Sequence, residues 1–332
     1  MKILYLTDHK PLKNLINDYM SDLLLHGLRE LHGTEVIDYP GSWYLYEDES
    51  LNRNLSDNLI WGKGFTIKNI LNDYQQIDRE DIESKIRNKY FDLVVYSSIR
   101  RSQLFLDEVI KYNNNFIFID GEDDQVVNSE LSEKGLYFKR ELNSKKKNLL
   151  PIYFAIPKTK IIKKINLNPK NILAPLIPGK IKTYIYNSEE EYYKMYQDSL
   201  FALTFRKGGW DCLRHYEIMM NGCLPLFIDI EKCPDFTLTN LSKSTLIEIN
   251  RKYLRILDHF SPFKIYESKF LNFNRIWNYY LNFFFKREEL RNIVSNNEIF
   301  ELKKEIVDFT KKKLTTEILA KDLLQKFDLS KK

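Results

Sequence analysis

Apolar positions along this chain alternate between unbroken short runs and helical spacing. KILYLT at 2–7 is an apolar β run, EVIDY at 35–39 reads as a second strand, and DLVVYS at 92–97 and FIFID at 116–120 are short continuous apolar runs. Strands buried on both faces of a parallel sheet show this pattern. Between them, Asn17–Leu31 places Tyr19, Leu23, Leu24 and Leu28 near helical spacing, and Ser102–Tyr112 predicts a second helix. PIYFAI at 151–156 predicts one more strand. Such alternation implies an α/β fold with a doubly wound parallel sheet.

The second half resumes with a helix over Ser188–Gln197, where Ser188 and Glu191 match a capping box. Strand-like SLFALTF and CLPLFIDI follow, with a further β run, STLIEI, at 244–249. Long helices are predicted from about Asn272, and the aromatic stretch Phe270–Phe285 suits a helix core. The last helix, Glu301–Phe327, keeps Leu302, Ile306, Phe309, Leu314, Ile318 and Leu323 roughly on one side. A long C-terminal helix of this kind can pack back across the first domain. Pro157, Pro169, Pro175 and Pro178 stand among lysines and mark a boundary. The expected division is a Rossmann-like domain at 1–156, a Pro/Lys-rich linker at 157–182 and a second Rossmann-like domain at 183–332.

Composition narrows the class. With 332 residues, 43% hydrophobic and 29% charged, the chain suits two globular domains. No apolar run approaches the ~18 residues that span a bilayer, and MKILYLTDHK turns to charge too soon for a signal peptide. Cys212, Cys223 and Cys233 are odd in number and lack a CxxC, which argues against a disulfide framework or structural zinc. A cytoplasmic setting is therefore expected. The net charge is +5, yet the segment from Asn143 to Lys182 holds ten lysines and no acidic residue. That segment is either a solvated linker or a rim for an anionic substrate or the anionic inner face of a membrane. No nucleic-acid-binding motif accompanies it.

The chemistry concentrates in FRKGGWDCLRHYEIMMNGCLP, from Phe205 to Pro225. It predicts strand, glycine loop, helix, turn and strand. A helix opened by a glycine loop offers free N–H donors and a positive dipole end to a phosphate. Gly208 and Gly209 allow close backbone approach, and Arg206 and Lys207 suit a diphosphate. Trp210, Asp211, Arg214 and Glu217 follow, with Glu217 suited to accept two ribose hydroxyls. Plainer roles stand beside these: Arg214 and Glu217 as a surface pair, Trp210 as a core anchor, Gly222 as a helix end.

Other candidates sit at expected strand ends. Asp8, His9 and Lys10 follow the first strand, and Asp120, Gly121, Glu122, Asp123 and Asp124 follow the fourth. Among these, Asp120, Glu122 and Asp123 are the candidates for a general base; the cluster could instead hold a divalent metal, or simply form an acidic turn. Asp18, Asp22 and His26 make a weaker cluster on one helical face. Trp61–Phe65 (WGKGF) is glycine-rich but lacks phosphate-loop spacing.

The 205–225 segment resembles the donor-binding signature of GT-B glycosyltransferases, especially the CgeB-like and exostosin-like branches with an Arg-x-x-Glu helix. MSDLLLHGL, FIDGEDD, YFKREL, PIYFAIP and GWDCLRHYE extend a similarity to bacterial polysaccharide-cluster proteins over most of the chain. The resemblance implies a hexosyltransferase-type enzyme of surface polysaccharide synthesis, with a nucleotide-diphosphate sugar as donor and a saccharide or glycolipid as acceptor. It implies no tightly bound cofactor, and a divalent metal is not favoured. Glu217, with Gly222 and Pro225 behind it, matches the ribose-binding position. Many retaining members carry a second Glu eight residues earlier, where this chain has Gly209. Stereochemistry is therefore not carried over, and Asp211 is at most a displaced substitute. Two other readings use the same donor site: a nucleotide-sugar epimerase or hydrolase, and a non-catalytic binding subunit.

Overall fold

A computed structural model describes residues 1–8, 17–48, 60–254 and 297–331. His9, Lys10 and the 270–285 aromatic stretch lie outside them. The fold is α/β, with a six-stranded and a three-stranded sheet, all strands parallel to their neighbours.

The first sheet contains β1 (Ile3–Leu6), β2 (Val36–Tyr39), β3 (Leu93–Tyr96), β4 (Phe116–Asp120), β5 (Leu136–Lys139) and β6 (Leu149–Pro151). Its spatial order is β2-β1-β3-β4-β5-β6. The order reverses between β1 and β3, so their carboxyl ends open the crevice where doubly wound sheets hold ligands. β1 and β3 are buried throughout, which is why their sequences are unbroken apolar runs. The second sheet orders β7 (Asn171–Leu173), β8 (Ser199–Phe205) and β9 (Leu224–Ile228).

Several elements differ from the sequence expectation. β5 interrupts its apolar run with Lys139, which is fully buried because Asp120 meets it at 2.8 Å. The strand expected over 151–156 ends at Pro151; beyond it, only Ile156 forms a bridge, to Thr315. The 102–112 helix begins only at Leu106. Residues 157–182 are more than a linker, since they supply β7 and bury Leu173, Ala174, Leu176 and Ile177.

The run at 244–249 is helical, not extended: the helix spans Lys243–Ile249, and its Ser242 side chain accepts from the Thr245 amide. That cap, and burial of Leu246 and Ile249 at helical spacing, outweigh the β-branched residues. For the Ser188 helix, Glu189–Gln197, the cap forms as expected, with Glu191 N–H donating to Ser188 Oγ at 3.1 Å. The Glu191 carboxylate, however, accepts from the Asn187 amide, one residue before the capping serine.

The long terminal helix is broken in two. With helices numbered in chain order, α1 is Tyr19–His32, α2 Ile82–Arg87, α3 Leu106–Tyr112, α4 Ser129–Lys134 and α5 Glu189–Gln197. α6 is Leu213–Met220, α7 Lys243–Ile249, α8 Asn297–Lys313 and α9 Thr316–Ser330. The break falls where Ile156 takes the helix's hydrogen bonds: its N–H donates to Leu314 O at 2.9 Å, and its carbonyl accepts from Thr316 N at 3.0 Å.

α9 packs on α1, and the point of closest approach is a glycine. A Cβ on Gly27 would lie 2.0 Å from the Thr316 carbonyl oxygen. Backbone cannot yield as a flexible side chain does. Gly27→Ala is therefore expected to destabilise the protein by about 1–3 kcal/mol or more, as a lowered urea midpoint.

Candidate functional site

The β8–α6 loop, Arg206 to Cys212, meets the carboxyl end of the first sheet. Glu141 lies just past β5 and is 2% exposed. Its carboxylate accepts from Trp210 N at 2.9 Å and Asp211 N at 2.8 Å. The adjacent Arg140 donates to it at 3.0 Å, to the Gly121 carbonyl at 2.9 Å, and also to Asp123 and the Asp211 carbonyl. Two of the loop's amides thus already hold an anion, and it belongs to the protein.

The glycines serve that docking. A Cβ on Gly208 would lie 2.0 Å from Asp123 Oδ2, and one on Gly209 would lie 2.5 Å from Glu141 Oε1. Position 209 has no room for a carboxylate beside Glu141. Trp210 is buried, its ring 6.3 Å from that of Phe227, and the Arg206 guanidinium lies 5.6 Å from its centroid. Arg206 and Lys207 are exposed and form no ion pair among the described residues. Gly222 lies past the far end of α6 with φ +64°, its N–H bonded to Met219 O. It is a helix terminator, remote from the loop.

Asp211 faces inward. Phe154 N donates to its Oδ2 at 3.0 Å, while Oδ1 is buried near the Tyr216 hydroxyl without a well-formed hydrogen bond among the described residues. Burial raises its carboxyl to about 7, although the nearby Arg140 opposes the shift. His215 accepts or donates at both nitrogens: Nδ1 lies 2.8 Å from Thr204 Oγ1 and Nε2 lies 2.9 Å from Trp210 O. A carbonyl only accepts, so Nε2 carries the proton and Nδ1 accepts from the hydroxyl. Burial holds its pKa down to about 3, so the ring is neutral and structural.

A second cluster forms on the other face of α6. Glu217 is buried, and its oxygens accept from Thr66 Oγ1 at 2.7 Å and Tyr192 OH at 2.6 Å. Burial raises its pKa despite both hydrogen bonds. Thr66 is held in turn: its amide donates to Glu189 at 2.7 Å and its hydroxyl meets Tyr193 OH at 2.7 Å. Its φ of 77° is unusual for a β-branched residue. Nothing in WGKGFT signals Thr66 as a partner of Glu217, because the contact spans 151 residues.

Arg214 stands one turn before Glu217 without an ion pair among the described residues. Its Nη2 donates to Tyr184 OH at 2.9 Å, while Nε and Nη1 are shielded from solvent and have no hydrogen-bond partner among the described residues. Tyr19, at the start of α1, is buried nearby, and burial first, then the Glu217 carboxylate, push the pKa of its hydroxyl up. Two more unpartnered buried atoms come from this part of the first half, Asn17 Nδ2 and Asp22 Oδ2. The other Asp22 oxygen accepts from Tyr44 OH at 2.6 Å, and burial raises the pKa of this carboxyl strongly.

The proposed bases after β4 are all paired. Asp120 is fully buried between Lys139 at 2.8 Å and Tyr137 OH at 2.6 Å. Burial would raise Glu122, but Arg101, 2.6 Å away, outweighs it and holds the carboxyl below its usual range. Asp123 is bound to Arg140, and Asp124 to Arg100 at 2.6 Å. Asp18 caps α1 through Met20 N and Ser21 N. His26 sits against Thr316 Oγ1 at 2.8 Å, and burial lowers its pKa to about 4, which removes it from acid–base work near neutrality. The three cysteines are free. Among the described residues, no cluster of three His, Cys, Asp or Glu could hold a metal, and no helix is long and apolar enough to cross a membrane.

An open cleft of about 530 Å³ is lined by Lys160, Glu189, Tyr193 and Lys194 among others, and an apolar one of about 230 Å³ by Met219, Leu246, Ile306 and Phe309 among others. No protein-family model matches the chain, and no curated protein matches it in sequence.

The Asp211 shift has a measurable consequence. An unfolded Asp titrates near 4, so between about pH 4 and 7 the folded state binds the extra proton. This group therefore contributes a loss of stability as pH rises through that window. Asp211→Asn should remove the contribution, and comparing urea midpoints of both proteins from pH 4 to 7 reads the difference in slope.

Proposed function

We propose that the protein is a glycosyltransferase that takes a sugar from a nucleotide-diphosphate donor bound at the start of α6 and passes it to a saccharide or lipid-linked acceptor. One observation carries the reading: Arg214 keeps two shielded guanidinium nitrogens without a partner, one helical turn from a buried carboxylate. An unpaired buried cation is costly, and a diphosphate is the ligand whose oxygens fit a planar fork of donors. Glu217 then takes the ribose hydroxyls in the place that Thr66 and Tyr192 fill here. Exposed Arg206 and Lys207 add positive charge where negative charge grows on the departing diphosphate. Asn17 and Asp22, with their unpartnered atoms, mark the acceptor side.

A second reading is favoured by one specific finding. Asp120, Glu122 and Asp123 each hold a cation, which suits a subunit that binds a sugar nucleotide without turning it over.

Titration calorimetry with UDP-, GDP-, ADP- and CMP-sugars separates these outcomes. Arg214→Met and Glu217→Gln are each expected to weaken the preferred nucleotide diphosphate sugar about tenfold or more, the loss of a charged hydrogen bond. The CMP-sugar, with one phosphate, should bind less well. If no nucleotide binds, or both variants bind as the wild type does, the donor site is wrongly assigned. Donor turnover that needs added glycan marks a transferase, turnover without it an epimerase or hydrolase, and binding without turnover the non-catalytic subunit.

A further inference from the structure

Next to this site the protein exposes apolar side chains that its fold does not require. Ile181 is 87% exposed, Ile185 69% and Trp61 74%. The isoleucines sit on a loop closed by its own hydrogen bonds. Thr183 turns inward, where Ile177 N donates to its Oγ1 at 3.0 Å and the Lys180 carbonyl lies 2.7 Å from the hydroxyl. Gly179 N donates to Tyr184 OH at 3.2 Å. A loop built around an inward Thr183 holds its neighbours outward, so the exposure is a property of the built turn.

The Trp61 loop adjoins this one. Lys63 Nζ donates to the Tyr186 carbonyl at 2.6 Å and to Asn187 Oδ1 at 2.9 Å. Behind them Phe65 stacks on Tyr192 at 5.4 Å, and Tyr192 is the tyrosine that binds Glu217. Tyr184 bonds Arg214. The exposed apolar group therefore sits at the edge of the candidate donor site. Lys180 and Lys182 flank Ile181, and partial burial, followed by the charge of Lys182, lowers the pKa of Lys180. They end a stretch from Asn143 to Lys182 without a single acidic residue.

We propose that the Ile181–Ile185 loop and Trp61 form a docking surface for an anionic lipid bilayer, with the apolar side chains entering the headgroup region and Lys180 and Lys182 meeting lipid phosphates. Exposed aliphatic and Trp side chains beside lysines have the composition of interfacial anchors. The positive charge of Lys180 and Lys182 complements an anionic bilayer, while Glu190 and Glu191 at the start of α5 stand apart from Ile181 in sequence. Docked in this way, the protein would hold the donor site at the membrane surface, which selects a lipid-linked acceptor over a free saccharide. Only that last step rests on the glycosyltransferase reading.

Sedimentation with vesicles, without any nucleotide, tests the surface by itself. Vesicles of phosphatidylcholine and phosphatidylglycerol in about equal parts should carry down wild type about tenfold or more better than phosphatidylcholine alone, and added salt should weaken the effect. Ile181→Ser/Ile185→Ser should abolish sedimentation, and Lys182→Glu should reduce it, while both retain wild-type nucleotide affinity and circular dichroism. Absence of wild-type sedimentation, or variants that sediment as wild type does, overturns the proposal. So does a wild-type dimer that the isoleucine pair converts to monomer, because the face is then a contact between copies. If vesicles bind while nucleotides do not, the surface stands and the donor site falls.

Discussion

Glu141 carries its charge almost out of reach of water, and much of the molecule is arranged to satisfy it. Two amides of the β8–α6 loop and the guanidinium of Arg140 converge on one carboxylate. Removing one partner from such a buried group costs about 3–5 kcal/mol. The loop that opens α6 is therefore fixed by the first sheet as much as by its own strand. Gly208 and Gly209 follow from this constraint, because any side chain there would meet Asp123 or Glu141. Arg140 extends the same network to the ends of β4 and β8, so the carboxyl edges of both sheets meet at one charged knot.

The two faces of α6 have opposite electrostatic states. On the side of Glu141, donors and acceptors are nearly balanced, and His215 is neutral and fully bonded. On the side of Glu217, the carboxylate is satisfied but the Arg214 guanidinium is not. Thr66, in a backbone region that β-branched residues avoid, supplies one of the hydrogen bonds that complete Glu217.

The sequence made the parallel sheets legible through β1, β3, β4, β8 and β9, because strands covered on both faces have nowhere to put a polar side chain. It hid β5, where Lys139 enters the core only because Asp120, from the neighbouring strand, goes with it. It misread 244–249, where a serine cap decided between helix and strand, and it merged α8 with α9, because the break is made by Ile156 from a distant segment. The same limit governed the site. Arg214 and Glu217 stand out as a spacing on one helix, but Thr66, Glu141 and Arg140 are joined to that helix only by the fold. Charges that look available in a linear reading, Asp120 and Glu122 above all, prove to be paired by residues far along the chain.

The return of α9 to α1 ties the beginning of the chain to residues made some three hundred positions later. During synthesis the α1 face around Gly27 and the buried His26 stays uncovered while both sheets are already complete. Ile156 likewise waits for Leu314 and Thr316 to take its hydrogen bonds. The first half can therefore collapse early but closes last, and an interrupted chain leaves an apolar α1 surface open to chaperones or to other nascent chains.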